Sequence, residues 1–298
     1  MTVIPSGNAN PARTEESLTI SETSRDVSRS TRCARLGQAL NVAAAPLLNG
    51  CNVTLPLDTT KGLFGALNVY HDIASRSAAL NMAIDEALLE HASVPSIRFY
   101  KWDHPALSFG YFGRFADVAN YAPERDLVRR WTGGGIVFHG DDLTYSIVIP
   151  ETEPAFGESS MSIYEKIHNA LRAALVVSGH DVELAESRDA ALQRQSGSDR
   201  PRIAQRAVPT NTCFANPVRA DVLSNGRKIA GAAQRRTRKG LLQQGSIQDV
   251  DLAEDFERSF ASQLSHGCLE RALDHRILDR AQEIADLKYG TSAWLRRR

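Results

Sequence analysis

Three stretches of the chain carry residues whose types and spacing suit chemistry. The densest is Arg129-Arg130-Trp131-Thr132-Gly133-Gly134-Gly135-Ile136-Val137-Phe138-His139. Successive glycines let backbone N–H groups come close to a ligand and accept positive φ. Arg129 and Arg130 bring charge that suits a phosphate or a carboxylate. A flexible surface hairpin is the plain alternative. The second stretch is Asn225-Gly226-Arg227-Lys228-Ile229-Ala230-Gly231-Ala232-Ala233. Its small residues leave room beside Lys228, a candidate to hold an anionic carbonyl or phosphate; a solvated edge lysine is the alternative. The third is Cys213-Phe214. Cys213 is a nucleophile if its thiolate is stabilised, with His139 as candidate base, and otherwise a small, inert apolar residue.

The elements that must position these residues follow from periodicity. Residues 67–72 alternate like a strand, and 77–92 carry apolar residues at helical spacing (Leu80, Ile84, Leu88), with Ser77 or Asn81 as cap. Residues 96–102 and 106–113 read as strands about a turn at Asp103-His104-Pro105, and two more flank the glycine triplet. A further strand spans 143–150. The clearest helix has Ile163, Ile167, Leu171 and Leu175 on one face and Gly179 where a C-cap belongs. His168, within it, reads as structural or surface-exposed. Residues 185–209 are polar and aperiodic, a long mobile loop. Asn225-Gly226 marks a hairpin, residues 237–240 a second tight connection, and two helices follow. Strands and helices mix without regular βα alternation, which predicts an α+β fold.

The chain has 298 residues, 42% of them hydrophobic, with 35 Lys+Arg against 35 Asp+Glu. Length alone allows two domains, or one large unit with a tail. Zero net charge excludes a general nucleic-acid binder. Cys33, Cys51, Cys213 and Cys268 are too scattered for a zinc CxxC pair and too few for a disulfide scaffold, so reduced thiols in a cytoplasm are expected. No apolar run reaches the roughly 18 residues a membrane span needs. Residues 1–62, rich in Ser, Thr, Asn and Ala, read as a disordered leader with no secretory signal; Glu15, Glu16, Glu22 and Asp26 argue against a transit peptide.

Five segments in order resemble the lipoate–protein ligase A family of the biotin/lipoate attachment superfamily: LNMAIDEALLE, SIRFYKWDHPALSFGYF, RRWTGGGIVFHGDDLTYS, DVLSNGRKIAGAAQRR and LLQQGSI, with an echo in LKYGTSAW. The resemblance covers about residues 67–250. It implies a mixed β-sheet flanked by helices, like the catalytic domains of class II synthetases and biotin ligases. It also implies a single catalytic domain over 63–298, with no C-terminal accessory domain. A lipoyl or octanoyl chain would lie in an apolar tunnel with its carboxyl end at Lys228. Arg129, Arg130, Thr132, Gly133, Gly134, Gly135, His139, Asp221, Gly231 and Ala232 carry over as acyl- or adenylate-binding residues; the apolar Phe109, Phe112 and Ile136 are candidates for the tunnel wall or equally for the core.

Two reactions follow from the resemblance. A lipoate–protein ligase would use ATP and Mg²⁺ to make an acyl-adenylate. An octanoyltransferase would need neither, moving octanoate from acyl carrier protein through Cys213. Gly135 matches the ligase form of the glycine segment, and on that ground ligation is the expected reaction. Cys213-Phe214 ahead of Lys228, and a chain ending near residue 298, match the transferase. No metal ligand set is assigned. The expected acceptors are lipoyl-domain proteins, of the glycine cleavage H protein or 2-oxoacid dehydrogenase E2 type, with neither nucleic acid nor membrane as partner. A non-catalytic acyl-binding homologue is a third expectation, and retention of Lys228 and the arginine pair argues against it. A basic surface for an acidic lipoyl domain would be local, at Arg235, Arg236, Arg238 and Lys239.

Overall fold

A computed structural model of the chain describes residues 62–186 and 216–297. Among them, the strands with the most continuous burial form the middle of the main sheet. These are β2 (Ser96–Trp102), β6 (Leu143–Pro150) and β10 (Gly240–Ile247). Helices cover both faces of these strands, so their side chains have no solvent side to alternate toward. The order across the main sheet is β11-β1-β2-β6-β10-β9-β8-β7. Here β1 is Leu67–Arg76, β7 Glu183–Leu184, β8 Val222–Ser224, β9 Arg227–Thr237 and β11 Cys268–Arg271. The β11-β1-β2 edge is parallel and the remainder antiparallel. A small second sheet, β4-β3-β5, holds β3 (Ala106–Phe109), β4 (Asp126–Arg129) and β5 (Ile136–His139).

Helix α1 (Ala78–His91) packs on one face with α4 (His275–Ile284). On the other face lie α2 (Ser160–Val177) and α3 (Phe256–Leu264). Ser77 caps α1 by accepting the Leu80 N–H. Asn81, the other candidate cap, is instead buried inside the helix, donating to the Arg76 and Lys101 carbonyls. Helix α2 ends at Gly179, whose φ of +86° closes it as expected. After α4 the chain passes through a π turn (Ala285–Tyr289) into the short α5 (Ser292–Leu295).

The fold is α+β with a mixed sheet between helices, as predicted. The short edge strands β7 and β11 were not foreseen. The expected leader over 1–62, apart from Gly62, nearly all of the expected loop 185–209, and Cys213 lie outside the described residues. Ala185, where that loop was expected to start, is tied down: its N–H donates to the Asp221 carbonyl and its carbonyl accepts the Ala220 N–H. Among the described residues no helix is long and apolar enough to cross a membrane.

Candidate active site

The hairpin that carries Lys228 turns through Asn225 and Gly226, both at positive φ (51° and 72°), as a two-residue β-turn of this type requires. Its register slips once, between Val222↔Ala230 and Leu223↔Lys228. Such a bulge re-aims the side chains beside it. Lys228 Nζ lies 2.8 Å from Asp221 Oδ2, with both side chains buried. Asp221 also accepts the Tyr164 hydroxyl at 2.6 Å and the Val218 N–H at 2.7 Å. The Tyr164 oxygen in turn accepts the Ala232 N–H. Burial and the Asp221 charge push the Tyr164 phenol far above its ordinary range, so it remains a donor. A Cβ at Gly231 would overlap Lys228 Cε and Nζ. Gly231 is therefore the space in which the lysine lies.

Behind this pair, Ala220 holds a φ of +66°, a conformation uncommon outside glycine. His168 Nδ1 lies 2.6 Å from the Ala220 carbonyl, and Tyr145 Oη lies 3.1 Å from His168 Nε2. A carbonyl only accepts, so Nδ1 carries the proton and Nε2 accepts from Tyr145. Burial pushes His168 down to about 4. It is a fully buried neutral imidazole under the lysine pocket and has no surface exposure.

On the opposite wall, Arg130 holds the glycine segment from beneath. Its Nη2 donates to the carbonyls of Gly133 (3.1 Å) and Gly135 (2.8 Å), and its Nη1 to Ser108 Oγ (2.6 Å). Ser108 Oγ is 2.6 Å from His139 Nε2, and His139 Nδ1 is 2.8 Å from Asp142 Oδ2. Trp102 stacks on the His139 ring at 4.1 Å. Burial holds the His139 imidazole below its ordinary range despite the neighbouring Asp142 charge. Burial also raises Asp142, but His139, Ser246 and the Gly140 N–H outweigh it and leave the carboxyl below its usual range. Gly134 bends the segment at φ +85°. Gly110 packs so close that a Cβ there would overlap the Gly133 and Gly134 carbonyls.

The floor joins the two walls. Asp85, buried in α1, accepts from Arg98, Tyr100, Ser146 and Gln244 at 2.7–3.0 Å. Gln244 also accepts the Thr132 hydroxyl at 2.8 Å. Thr132 thus ties the start of the glycine segment to the sheet and does not point into open space. Between the walls runs a narrow cleft with about 410 Å³ of empty space, counting solvent at its mouth. Met82, Trp102, Val137 and Ala232 give it apolar lining, and Arg130, Ser108 and His139 polar lining.

Of the residues singled out in the sequence, Arg130, His139, Gly231 and Ala232 line this cleft, and Lys228 and Asp221 sit against Gly231. Gly134 and Gly135 line a second cleft on the far side of the loop, together with Phe109, Phe112 and Ile136. Those three apolar residues are therefore not in the wall of the first cleft, and Phe112 is exposed. Arg129 faces neither cleft. It is buried and donates to the carbonyls of Tyr111, Gly113, Trp294, Leu295 and Arg297. The site also holds residues that the sequence reading did not reach: Asp85, Arg98, Ser108 and Asp142. A charge inside an otherwise apolar segment (Asp85 in α1, Arg98 in β2) is the signal that marks two of them. Arg235, read as surface charge, lies over Tyr111 and Trp131, and its Nε has no hydrogen-bond partner among the described residues.

Among the described residues, no three His, Cys, Asp or Glu side chains are grouped to hold a metal ion. The arrangement suits electrostatic stabilisation of an acyl carbonyl. A buried cation stands beside one wall, and a second cation, Arg130, stands at the other.

Comparison with known proteins identifies the family of the fold that carries this site. The family model for the lipoyl protein ligase A/B catalytic domain matches residues 77–267. The octanoyltransferase LipM of Staphylococcus aureus is 35% identical over 192 residues, which cover 61% of this chain and 66% of that protein. The chain thus spans just under two thirds of that relative's length. The octanoyltransferase LipM of Macrococcus caseolyticus is 35% identical over 217 residues, covering 70% of this chain and 74% of the relative. In fold, the chain is similar to a putative lipoate protein ligase from T. acidophilum solved with bound lipoic acid. The TM-score is 0.57 at 21% identity, covering 78% of this chain and 98% of that one. With the glycine segment, the lysine hairpin and the central strands β2, β6 and β10 inside the matched span, the chain belongs to the lipoyl protein ligase A/B catalytic domain family.

Proposed function

We propose that this chain transfers an octanoyl or lipoyl group to the ε-amine of a lysine on a lipoyl-domain protein in the cytoplasm, from an acyl thioester donor and through Cys213. One observation carries the acyl-transfer reading. The buried Lys228–Asp221 pair sits beside a narrow, partly apolar cleft whose other wall carries Arg130, the residue that holds the glycine segment. The apolar lining suits an acyl chain, and a few placed polar groups beside it suit a carboxyl end. Its carbonyl would then lie between the lysine ammonium and the Arg130 guanidinium.

In the first step the Cys213 thiolate attacks the thioester carbonyl. A new C–S bond forms, and the carrier thiolate leaves and takes up a proton. In the second step the acceptor amine attacks the Cys213 thioester. The C–N bond forms, the C–S bond breaks, the amine loses a proton to solvent and the thiolate is restored. Both steps place negative charge on the carbonyl oxygen, and the Lys228 ammonium stabilises it in the transition state.

Two facts support the thioester as donor: relatives at 35% identity carry the name octanoyltransferase, and a Cys-Phe pair precedes the lysine hairpin. ATP-dependent ligation is the second reading. Gly135 supports it, because a position without a side chain beside the second cleft leaves space there that a nucleotide needs. In that reading lipoate or octanoate and ATP·Mg²⁺ are substrates.

The test is acylation of an apo lipoyl domain by the purified chain, from octanoyl-carrier protein without ATP or from octanoate with ATP·Mg²⁺. Acylation from the carrier alone, lost in Cys213→Ala, is expected. ATP-dependent acylation that survives Cys213→Ala overturns the donor in favour of ligation. No acylation in either arm overturns the catalytic reading altogether. Lys228→Ala is expected to abolish whichever activity is present.

A further inference from the structure

Arg130 has only donors to offer. Its Nη1 points at Ser108 Oγ from 2.6 Å, so the serine oxygen accepts there and must send its own hydrogen elsewhere. The atom placed to take it is His139 Nε2, also at 2.6 Å. An imidazole nitrogen that accepts is unprotonated, which leaves the proton on Nδ1, and Nδ1 points at Asp142 Oδ2 from 2.8 Å. The donor chain therefore runs one way from the arginine to the serine to the histidine to the carboxylate. All four side chains are buried. The carboxylate end is anchored as well: Asp142 accepts the hydroxyls of Thr144 and Ser246 and the N–H of Gly140. Trp102 fixes the plane of the imidazole by stacking on it, and its indole N–H donates to Thr144.

What this chain holds in place is the other edge of the guanidinium, whose Nη2 takes the carbonyls of Gly133 and Gly135. In a planar trans peptide the carbonyl and the following N–H point in opposite directions. Turning the Gly133 carbonyl toward Arg130 therefore turns the Gly134 N–H away from it. Glycine has the widest backbone freedom of any residue, so the segment keeps that orientation through contacts such as the Arg130 bonds and the close packing of Gly110.

We propose that Ser108 and Asp142 are positioning residues: with His139 they form a one-way hydrogen-bond relay that fixes Arg130, and through it the outward-facing amides of the glycine segment. This rests on the acyl-transfer reading above for its catalytic consequence, but the polarity of the relay stands apart from it. Neither residue need touch the acyl group. Both act through Arg130.

The relay fails in a distinct way at each end. Asp142→Asn can place an N–H against His139 Nδ1, which reverses the favoured tautomer to Nε2–H. Ser108 then faces two donors, Arg130 and His139, and loses the acceptor for its own hydrogen. Ser108→Ala leaves the imidazole–carboxylate pair intact but removes the atom that holds Nη1.

The experiment uses the full chain labelled with ¹⁵N-histidine, with the His139 signal assigned by its loss in His139→Asn. Expected is an Nδ1–H, Nε2-unprotonated imidazole at neutral pH. It should be retained in Ser108→Ala and reversed in Asp142→Asn. Amide hydrogen exchange across residues 130–136 should quicken in both variants. In the acylation assay kcat should fall by about 10–100-fold, with a smaller change in KM, the size seen when an outer supporting partner is removed from a site. An Nε2–H or doubly protonated imidazole in the unmodified chain overturns the relay. So do unchanged exchange and unchanged kcat in both variants. If the unmodified chain acylates from neither donor, the acyl-transfer reading falls, while the imidazole spectrum and the exchange rates still decide the relay.

Discussion

A buried ion pair is a costly thing to build, because two charges leave water and only good geometry offsets the loss. Lys228 and Asp221 meet that requirement with a 2.8 Å contact and with Tyr164 and the Val218 N–H satisfying the carboxylate. The lysine can reach the pair only because position 231 has no side chain. Gly231→Ala is therefore the sharpest single test of the pocket. The added methyl would overlap Lys228 Cε and Nζ and come within 3.1 Å of Asp221 Oδ1. Overpacking of this kind costs about 1–3 kcal/mol, a loss that leaves the fold standing. The displaced ammonium should cost far more in function, on the order of 100-fold in kcat/KM, as expected for a reacting group moved by about an ångström. Thermal melting and acyl-transfer kinetics on the same variant measure the two effects. Near-native kcat/KM in Gly231→Ala would mean that the lysine does not act from this position.

At the scale of elements, the segment after α4 has a task that its sequence does not advertise. Trp294 donates its indole N–H to the Arg129 carbonyl, and the Lys288 ammonium lies over the Trp131, Tyr289 and Trp294 rings within 5 Å. Arg129 returns donors to the carbonyls of Trp294, Leu295 and Arg297. The segment thus clamps the strand end from which the glycine loop starts. Trp294→Ala should lower unfolding free energy by about 2–3 kcal/mol, less than a fully buried tryptophan because Trp294 is only half-buried. Amide exchange at residues 129–135 should quicken along with it. Denaturant unfolding and exchange on one variant check both, and unchanged exchange would show that the clamp stops short of the loop. Periodicity made α1, α2, the strands other than β7 and β11, and the Asn225-Gly226 hairpin legible, since each depends on local pattern. The clamp was not legible, because Arg129 and Trp294 meet only through long-range folding. Arg129 looked like a ligand-binding partner of Arg130 for the same reason: adjacent residues on a strand point to opposite faces, and only the packing tells which face holds the cleft. Asp142 was hidden likewise in a polar turn, whereas Asp85 is marked as a charge inside an apolar helix pattern.

Across the whole molecule, balanced formal charge conceals a strongly uneven interior. Arg98 is wholly buried and bridges Asp72 and Asp85, Lys228 is paired with Asp221, and two histidines are held neutral. These groups set how stability responds to acid. His168 has a folded-state value of about 4, whereas an unfolded histidine titrates near 6.5. Between those values the unfolded chain binds the extra proton, so stability rises with pH in this window. The contribution is fully present above about 6.5 and is lost as pH falls toward about 4, at on the order of 1.4 kcal/mol per pH unit. His139 is shifted in the same direction and adds to the same slope. Asp72 and Asp142 act lower down. Their carboxyls are held below the ordinary range, so their contribution is lost only as pH drops through and beneath the usual carboxylate region. Unfolding free energy from denaturant titrations should therefore fall between pH 6.5 and 4.5, before the carboxylates begin to protonate. His168→Asn keeps a donor for the Ala220 carbonyl but removes the titrating ring. It should lower stability at pH 7 and flatten the slope across that window. A slope equal to that of the unmodified chain would show that His168 accepts its proton without unfolding the pocket around Lys228.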